Sequence, residues 1–309
     1  MIISISRRTD IPAFFSEWFY NRIEDGYFMV RNPMNIHQVS KVTVTPQNAE
    51  CLVFWTKNPS FSFIENLPKL DEKGFNYYFQ FTITSYAQDI EKSVSRKTEI
   101  IEKFQKLSNQ IGKEKVIWRY DPIILNKKYN FDYHIKYFDY IAEKLSAYTE
   151  KVIISFVDCY SKIKTRLQEN EITDLTQEQM RKLGIALKQI AEKHNLKIES
   201  CSETIDFDDI GIPHGHCIDG ELINRICQRN FIFKKDKTQR KECGCVTSVD
   251  IGSYNTCRHN CAYCYATWNG IIPNSIDNSS PLLGSVLSNE DKVTVRKIPV
   301  LKEYNPELF

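Results

Sequence analysis

The sequence lacks any long hydrophobic run. In 309 residues, no apolar stretch approaches the ~18 residues that a membrane-spanning helix needs. The first residues, MIISISRR, also lack the long apolar segment of a signal peptide. These absences predict a cytoplasmic protein that has no membrane partner.

Neither sign of charge is in excess. The chain has 41 Lys and Arg against 39 Asp and Glu, which gives a net charge of +2. This balance excludes a protein that binds polyanions through bulk charge, whereas a local basic groove leaves nucleic acid open as a partner. The chain also lacks internal repeats and any Pro/Gly/Ser-rich linker long enough to force two independent domains.

Strand-like and helix-like segments alternate along the first 200 residues. Runs rich in β-branched and aromatic residues predict strands at Ile2–Ser6, Cys51–Trp55, Tyr77–Ile83, Val116–Tyr120, Val152–Val157 and Lys197–Ser200. Apolar residues at helical spacing predict helices between them, one ending before Gly112 and one opening with a capping box at Thr176. The alternation indicates an α/β fold with a parallel sheet covered by helices. With about six such units, we expect a partial TIM-like (β/α) barrel rather than an open sheet.

The pattern divides the chain into three segments. Residues 1–205 form the predicted barrel, and residues 206–269 form a Cys-rich segment that completes it. Residues 270–309 are rich in Asn, Ser and Pro near their start, which predicts an irregular tail.

Polar side chains follow the ends of the predicted strands, where parallel α/β folds gather their chemistry. Lys57 can donate to a carboxylate or a phosphate, or pair with Asp10. Asp121 and its neighbour Arg119 are the candidate catalytic residues, with Asp121 as a proton-transfer group or, alternatively, the start of an Asp-Pro turn. Further candidates are two arginines, which can bind anions or pair with Asp10, and two carboxylates: Arg7, Arg8, Asp158 and Glu203.

Cysteine is abundant, and eight of the ten cysteines lie between positions 201 and 264. In a cytoplasmic chain structural disulfides are rare, so this cluster predicts metal binding or redox chemistry. Cys257, Cys261 and Cys264 have the spacing C-x3-C-x2-C. Three thiolates on one irregular loop can bind three corners of a cubane iron–sulfur cluster and leave the fourth iron open. A zinc ribbon needs two C-x2-C pairs, which Cys243-Gly244-Cys245 matches poorly.

This motif, with Tyr263 directly before its last Cys, resembles the signature of the radical S-adenosylmethionine superfamily. The segments Trp55-Thr56-Lys57-Asn58, Phe81-Thr82-Ile83-Thr84 and Trp118-Arg119-Tyr120-Asp121 are similar to barrel segments of its spore photoproduct lyase branch. Nearly the whole chain resembles a bacterial family of unknown function related to that branch. In the superfamily the motif follows the first strand of a partial (β/α)6 barrel. Here it follows a strand predicted at Val246–Ile251, which resembles a circular permutation.

The resemblance implies a specific chemistry. Cys257, Cys261 and Cys264 would bind a 4Fe–4S cluster, and S-adenosylmethionine would bind the open iron. Reductive cleavage of this cofactor would start hydrogen abstraction from a substrate that the motif does not specify, with ferredoxin or flavodoxin as the type of electron donor. Tyr263 would place its backbone near the adenine. The other implied cofactor contacts, to ribose or carboxylate, are Thr82, Arg119, Ser155 and Lys57.

Four further cysteines complete the Cys-rich segment: Cys201, Cys217, Cys243 and Cys245. Four thiolates can close a second, auxiliary 4Fe–4S cluster, as in some members of the superfamily. The alternatives are a zinc site, with or without His214 or His216 in place of one Cys, and four thiols that bind no metal. We interpret Cys227, like Cys51 and Cys159, as a core residue.

Two other classes of function remain open. One is a non-catalytic zinc-binding or nucleic-acid-binding module. The other is an electron-transfer protein with two closed clusters, but the motif at 257–264 lacks the fourth nearby Cys that a closed cluster needs.

Overall fold

The computed structural model describes residues 1–268, 277–297 and 301–304. These residues form a mixed α/β fold. Its strands are β1 Ile2–Ile5, β2 Tyr27–Asn32, β3 Asn35–Thr43, β4 Cys51–Thr56, β5 Tyr77–Thr82, β6 Val116–Ile123, β7 Lys151–Phe156, β8 Lys197–Ser200, β9 Phe231–Ile232, β10 Ser248–Asp250, β11 Lys292–Val295 and β12 Lys302–Glu303. Its α-helices are α1 Ile11–Phe14, α2 Ser16–Asp25, α3 Phe61–Glu65, α4 Pro68–Lys73, α5 Lys97–Ile111, α6 Phe131–Leu145, α7 Lys164–Glu169, α8 Gln177–Lys193 and α9 Gly220–Cys227.

Seven parallel strands form the central sheet, in the order β10-β1-β4-β5-β6-β7-β8. The late strand β10 lies beside β1, with Val249 opposite Ile3. On the other side of β1 the strands follow chain order, beginning with Leu52 of β4 opposite Ile3. Because all neighbours are parallel, the carboxyl ends of the strands lie at one edge of the sheet. The loop that follows β10 begins at this same edge.

Both faces of the sheet are buried, which explains why its strands are almost continuously apolar. Ile3 and Leu52 belong to the larger core, which also contains the buried residues of the main helices. Ile2 and Val53 belong to a second core, with residues of segment 217–246, which includes α9. The Cys-rich segment therefore packs on the sheet rather than forming a separate unit.

Two of the long helices, α5 and α8, form where the sequence predicts them, whereas α6 was not predicted. In α5 the buried residues Phe104 and Leu107 lie on one face, and Gly112 follows the helix with a φ of +96°. α8 begins with a capping box in which Thr176 and Gln179 exchange side-chain and backbone hydrogen bonds. No helix in the described ranges is long and apolar enough to cross a membrane.

Two smaller sheets were not predicted. β2 and β3 pair antiparallel as a hairpin, and β11 adds to β3 in parallel. β12 pairs with β9. The segment 270–309, which the sequence predicts to be irregular, thus contributes two short strands within its described residues. Its residues 270–276, 298–300 and 305–309 lie outside the described residues.

Candidate functional site

A cavity of about 340 Å³ opens at the carboxyl edge of the central sheet. Residues from the ends of β1, β4, β5, β6, β7 and β8 line it, together with the loop after β10. The structure places these site residues predicted from the sequence on its wall: Lys57, Thr82, Arg119, Asp121, Ser155, Cys201, Cys217, Cys243, Cys245, Cys257, Cys261, Tyr263 and Cys264. The alternative zinc ligands His214 and His216 do not line it. The folded chain thus brings together residues that are up to 207 positions apart, from Lys57 to Cys264.

Cys257, Cys261 and Cys264, the loop thiols, lie on the irregular segment that follows β10. Cys261 is 4% exposed, whereas the other two are half-buried. The neighbouring segment 87–94 fixes this loop, because the backbone of Ser93 donates to His259 at 3.0 Å and that of Ala262 donates to Ile90 at 2.8 Å. The loop thiols are therefore held on a defined backbone.

Glu91 is a central residue of the site that the sequence did not reveal. It is 1% exposed and accepts hydrogen bonds from Lys57 Nζ at 2.7 Å and Thr84 Oγ1 at 2.6 Å. Lys97 Nζ and the Tyr263 hydroxyl donate to the same carboxylate. Burial alone would raise the pKa of Glu91, but the two lysines lower it well below its usual value. A single Glu in a polar loop carries no sequence signal for this role.

Asp10 has a different partner from the expected one. The sequence left pairing between Lys57 and Asp10 open, but the Lys57 side chain binds Glu91 and only its backbone N–H donates to Asp10, at 2.7 Å. Asp10 also caps α1 through Ala13 N at 3.0 Å and contacts His259 Nε2 at 2.7 Å. His259 is 2% exposed, so it supports the loop from within.

Asp250, not Asp10, is the carboxylate beside the two arginines of the first loop. It accepts from Ser6 Oγ at 2.6 Å and from the Arg7 backbone at 2.8 Å, and it lies 3.9 Å from Arg8 Nε. The Arg7 guanidinium lies over the Trp55 ring, 5.2 Å from its centre. This network joins β10 to the end of β1, directly before the loop thiols.

Cys201, Cys217, Cys243 and Cys245, the four-cysteine group, meet on another part of the wall. The sulfurs of Cys201 and Cys217 are 3.0 Å apart. The Cys245 side chain is in hydrogen-bond contact with both Cys217 and Cys243. Arg119 Nη1 donates to Cys217 Sγ at 2.6 Å. Arg119 therefore touches thiols, a contact that the sequence did not predict.

Arg119 also joins this group to the candidate acid. Its other terminal nitrogen pairs with Asp121, and the hydroxyl of Ser155 donates to the same carboxylate. Burial would raise the pKa of Asp121, but the arginine and the hydroxyl lower it below its usual value. Asp121 is thus held as a carboxylate.

Two mouth carboxylates differ in their surroundings. Glu203 is 9% exposed and accepts from the Phe156 backbone at 2.8 Å, and burial raises its pKa to about 8. Asp158 is exposed and accepts from Arg240 at 2.6 Å. Burial therefore favours the protonated form of Glu203, whereas Asp158 is a surface ion-pair partner.

The other three cysteines do not line the cavity. Cys51 is buried, and its thiol contacts that of the half-buried Cys227. Cys159 is half-buried. All ten cysteines are free, and among the residues that the structure describes no group of three or more His, Cys, Asp or Glu is arranged to hold a metal ion.

The comparison with family models gives the chain its family. The model described as a domain of unknown function, DUF1848, matches residues 2–266. The chain belongs to the DUF1848 family. Every residue that lines the cavity lies within the matched range, so the cavity is part of the DUF1848 domain itself. Comparison with curated proteins and with solved structures finds no match.

The DUF1848 cavity has the chemistry of a polar ligand site. Buried polar atoms on its wall, Arg7 Nη2, Thr9 Oγ1 and Thr56 Oγ1, have no hydrogen-bond partner among the described residues. Buried polar groups are usually satisfied, so unpartnered ones on a cavity wall indicate a polar ligand or ordered water. A pocket of this size suits a small molecule.

The loop thiols of the DUF1848 domain also fit an iron–sulfur cluster as a donor set. Burial raises the pKa of Cys257 to about 12, so ionising this thiol requires a positive partner. The backbone amides of His259 and Asp10 donate to its sulfur, as amides do to cluster thiolates. In a cubane each cysteine binds a different iron, so the thiolates need not converge on one ion.

Proposed function

We propose that this DUF1848 protein is a radical S-adenosylmethionine enzyme whose 4Fe–4S cluster is held by Cys257, Cys261 and Cys264. The observation that carries the proposal is the set of three free thiols, spaced C-x3-C-x2-C, on one loop that lines the cavity at the carboxyl ends of β1, β4, β5, β6, β7 and β8. Three ligands leave one iron open for the amino and carboxylate groups of S-adenosylmethionine.

The strand order supports a permuted partial barrel as the scaffold. If β10 and its loop preceded β1, the seven strands of the sheet would follow chain order from one edge to the other. Cysteines at both ends of that order, Cys201 after β8 and Cys257 after β10, line one cavity. A sheet that curves toward a barrel brings its edges together in this way.

When bound, the cluster and S-adenosylmethionine would supply the chemistry, a one-electron reductive cleavage, driven by an external reductant, that starts hydrogen abstraction from the substrate. The chain's own residues bind and orient the reactants and exclude water. Lys57 and Tyr263 are held by Glu91, so they fix the wall beside Cys261. Thr82 and the unpartnered hydroxyls of Thr9 and Thr56 are the polar contacts that remain available for the cofactor.

Arg119, Asp121 and Ser155 also line the cavity and form one hydrogen-bonded chain. We assign this chain to the substrate side of the cavity, with Asp121 and Arg119 as the candidate catalytic residues. The reductant would be a small low-potential protein such as ferredoxin or flavodoxin. Such a reductant, and ten free thiols, belong to the cytoplasm.

The test is anaerobic reconstitution with iron and sulfide, followed by dithionite and S-adenosylmethionine, with 5′-deoxyadenosine measured by mass spectrometry. The wild type and Cys159→Ala, which lies off the cavity wall, should release 5′-deoxyadenosine, and Cys261→Ala should release none. A protein that binds zinc alone and cleaves no cofactor would contradict the proposal and favour a non-catalytic binding module.

A further inference from the structure

The four-cysteine group is assembled by the fold rather than by a local motif. Cys201 follows β8, Cys217 precedes α9, and Cys243 and Cys245 precede β10. Cys217 contacts both Cys201 and Cys245, and Cys245 contacts Cys243, so the four sulfurs form one continuous set. Unrelated core cysteines are not expected to cluster in this way, because a thiol packs equally well against any apolar neighbour.

A buried positive charge lies directly against this group. Arg119 is 4% exposed and donates to Cys217 Sγ at 2.6 Å. A guanidinium keeps its charge even when buried, and a nearby positive charge stabilises a thiolate. The Arg7 guanidinium interacts electrostatically with Cys217 and Cys245 from the same cavity wall. Asp121 pairs with the same arginine, so the guanidinium joins the four-cysteine group to the candidate acid.

We propose that Cys201, Cys217, Cys243 and Cys245 form a second metal centre with four thiolate ligands, separate from the loop thiols. A divalent ion or an iron–sulfur cluster removes the repulsion among the thiolates. Four thiolates are a complete ligand set for a 4Fe–4S cluster and for a zinc ion alike. Such a centre is closed, whereas the loop thiols leave one position open.

The backbone around the centre holds its ligands close together. The Ile218 N–H donates to Cys245 Sγ at 3.3 Å, a contact that suits a thiolate ligand. Gly244 allows the Cys-Gly-Cys turn, because a Cβ at this position would lie 2.6 Å from the His216 ring. The sulfurs of Cys201 and Cys217 are in contact, and no described group is arranged to hold an ion, so metal binding must separate this pair.

The experiment isolates the second centre by removing the first. The variant Cys257→Ala/Cys261→Ala/Cys264→Ala is reconstituted anaerobically, and iron, sulfide and zinc are counted per chain. We expect about four irons with four sulfides, or about one zinc, which distinguishes a cluster from a single ion. Adding Cys217→Ala should lower the metal content to background, whereas adding Cys227→Ala should leave it unchanged.

Metal counting on the unmodified chain keeps the test independent of how the variants fold, and X-ray absorption of the triple variant identifies the ligands. If the second centre exists, X-ray absorption of the triple variant should show a metal whose first shell is sulfur alone. Metal counting of the wild type should then give eight rather than about four irons, or four irons plus one zinc. A triple variant that is folded by circular dichroism but metal-free would overturn the proposal. A disulfide between Cys201 and Cys217, found by mass spectrometry of the anaerobic protein, would overturn it as well.

The second centre is inferred from contacts of the four-cysteine group alone. A negative result for this centre can therefore be distinguished from a negative result for the proposed enzyme. If the loop thiols bind no cluster, the wild type and the triple variant hold the same metal. If the four-cysteine group binds none, its quadruple Ala variant keeps all the metal of the wild type.

Discussion

The loop thiols and the four-cysteine group line the same cavity but are built differently. The loop thiols come from eight consecutive residues, Cys257 to Cys264, and each reaches the cavity from one short loop. The four-cysteine group comes from three segments, and its sulfurs touch one another. A local motif can be read from spacing, whereas a group assembled by folding is visible only when the sheet is complete.

The charged neighbours of the loop thiols and of the four-cysteine group also differ. Beside the loop thiols, Lys57 is neutralised by the buried carboxylate of Glu91. Beside the four-cysteine group, Arg119 donates directly to a sulfur. The first network supports a loop, and the second supplies charge to the thiols themselves. Substitutions in each network should therefore separate the two groups.

The largest effect is expected from single cysteines. Cys261→Ala should abolish release of 5′-deoxyadenosine, because the proposed cluster loses one of its three protein ligands. Cys217→Ala should retain release, since the loop thiols stay intact. Mass spectrometry of the product after a fixed time measures both. Equal loss in the two variants would mean that the two groups do not act separately.

Glu91→Gln tests the network that supports the loop thiols. It leaves Lys57 and Lys97 without their buried counter-charge, so we expect the free energy of unfolding to fall by about 3–5 kcal/mol. Urea unfolding measures this value. The control is Glu171→Gln, which removes an exposed pair with Lys127 and should cost below about 1 kcal/mol. A loss of that small size in Glu91→Gln would contradict the assigned network.

His134 gives a pH dependence of stability that arises in the hydrophobic core and not at the thiols. It is fully buried between the Tyr120 hydroxyl and the Ile124 carbonyl, and burial lowers its pKa to about 4. Its contribution to stability is therefore present above the unfolded pKa of about 6.5 and is lost as the pH falls toward 4. We expect the wild type to lose about 3 kcal/mol more than His134→Gln between pH 7 and pH 4. Urea unfolding at both pH values checks this, and parallel curves for the two proteins would refute it.

Two glycines give the smallest effects and the most local ones. A Cβ on Gly252 would lie 2.0 Å from Ser6 Oγ, between β1 and the loop thiols, and one on Gly244 would meet His216. Each Ala substitution should cost about 1–3 kcal/mol of unfolding free energy. Gly252→Ala should lower the metal at the loop thiols and Gly244→Ala that at the four-cysteine group. The reverse pattern in iron and zinc counts would contradict the division.

Much of the central sheet could be predicted from the sequence. The strands at Ile2, Cys51, Tyr77 and Val116 begin where their β-branched and aromatic runs begin, because most of these residues are buried on both faces. The edge strand β8 also begins at the predicted Lys197, although it is only partly buried. The hairpin of β2 and β3 was not predicted, since most of its residues are only partly buried or exposed and show no sustained alternation of apolar and polar residues. Pairing of β10 with β1 joins distant segments and follows from no local pattern.

For the site, spacing predicted the loop thiols and strand ends predicted the polar wall. The exact partners did not follow, because they depend on which side chains meet after folding. The Lys57 side chain pairs with Glu91 rather than with Asp10, and Arg119 contacts Cys217 as well as Asp121. An ion pair across 34 positions leaves no trace in composition or periodicity.

The central claim is that the loop thiols bind a cluster with one open iron that takes S-adenosylmethionine. Electron paramagnetic resonance of the reduced quadruple variant, with Cys201, Cys217, Cys243 and Cys245 changed to Ala, tests it without interference from the second group. We predict a cubane signal that changes when S-adenosylmethionine is added. A folded protein without a cubane signal, or with one that the cofactor leaves unchanged, would contradict the account.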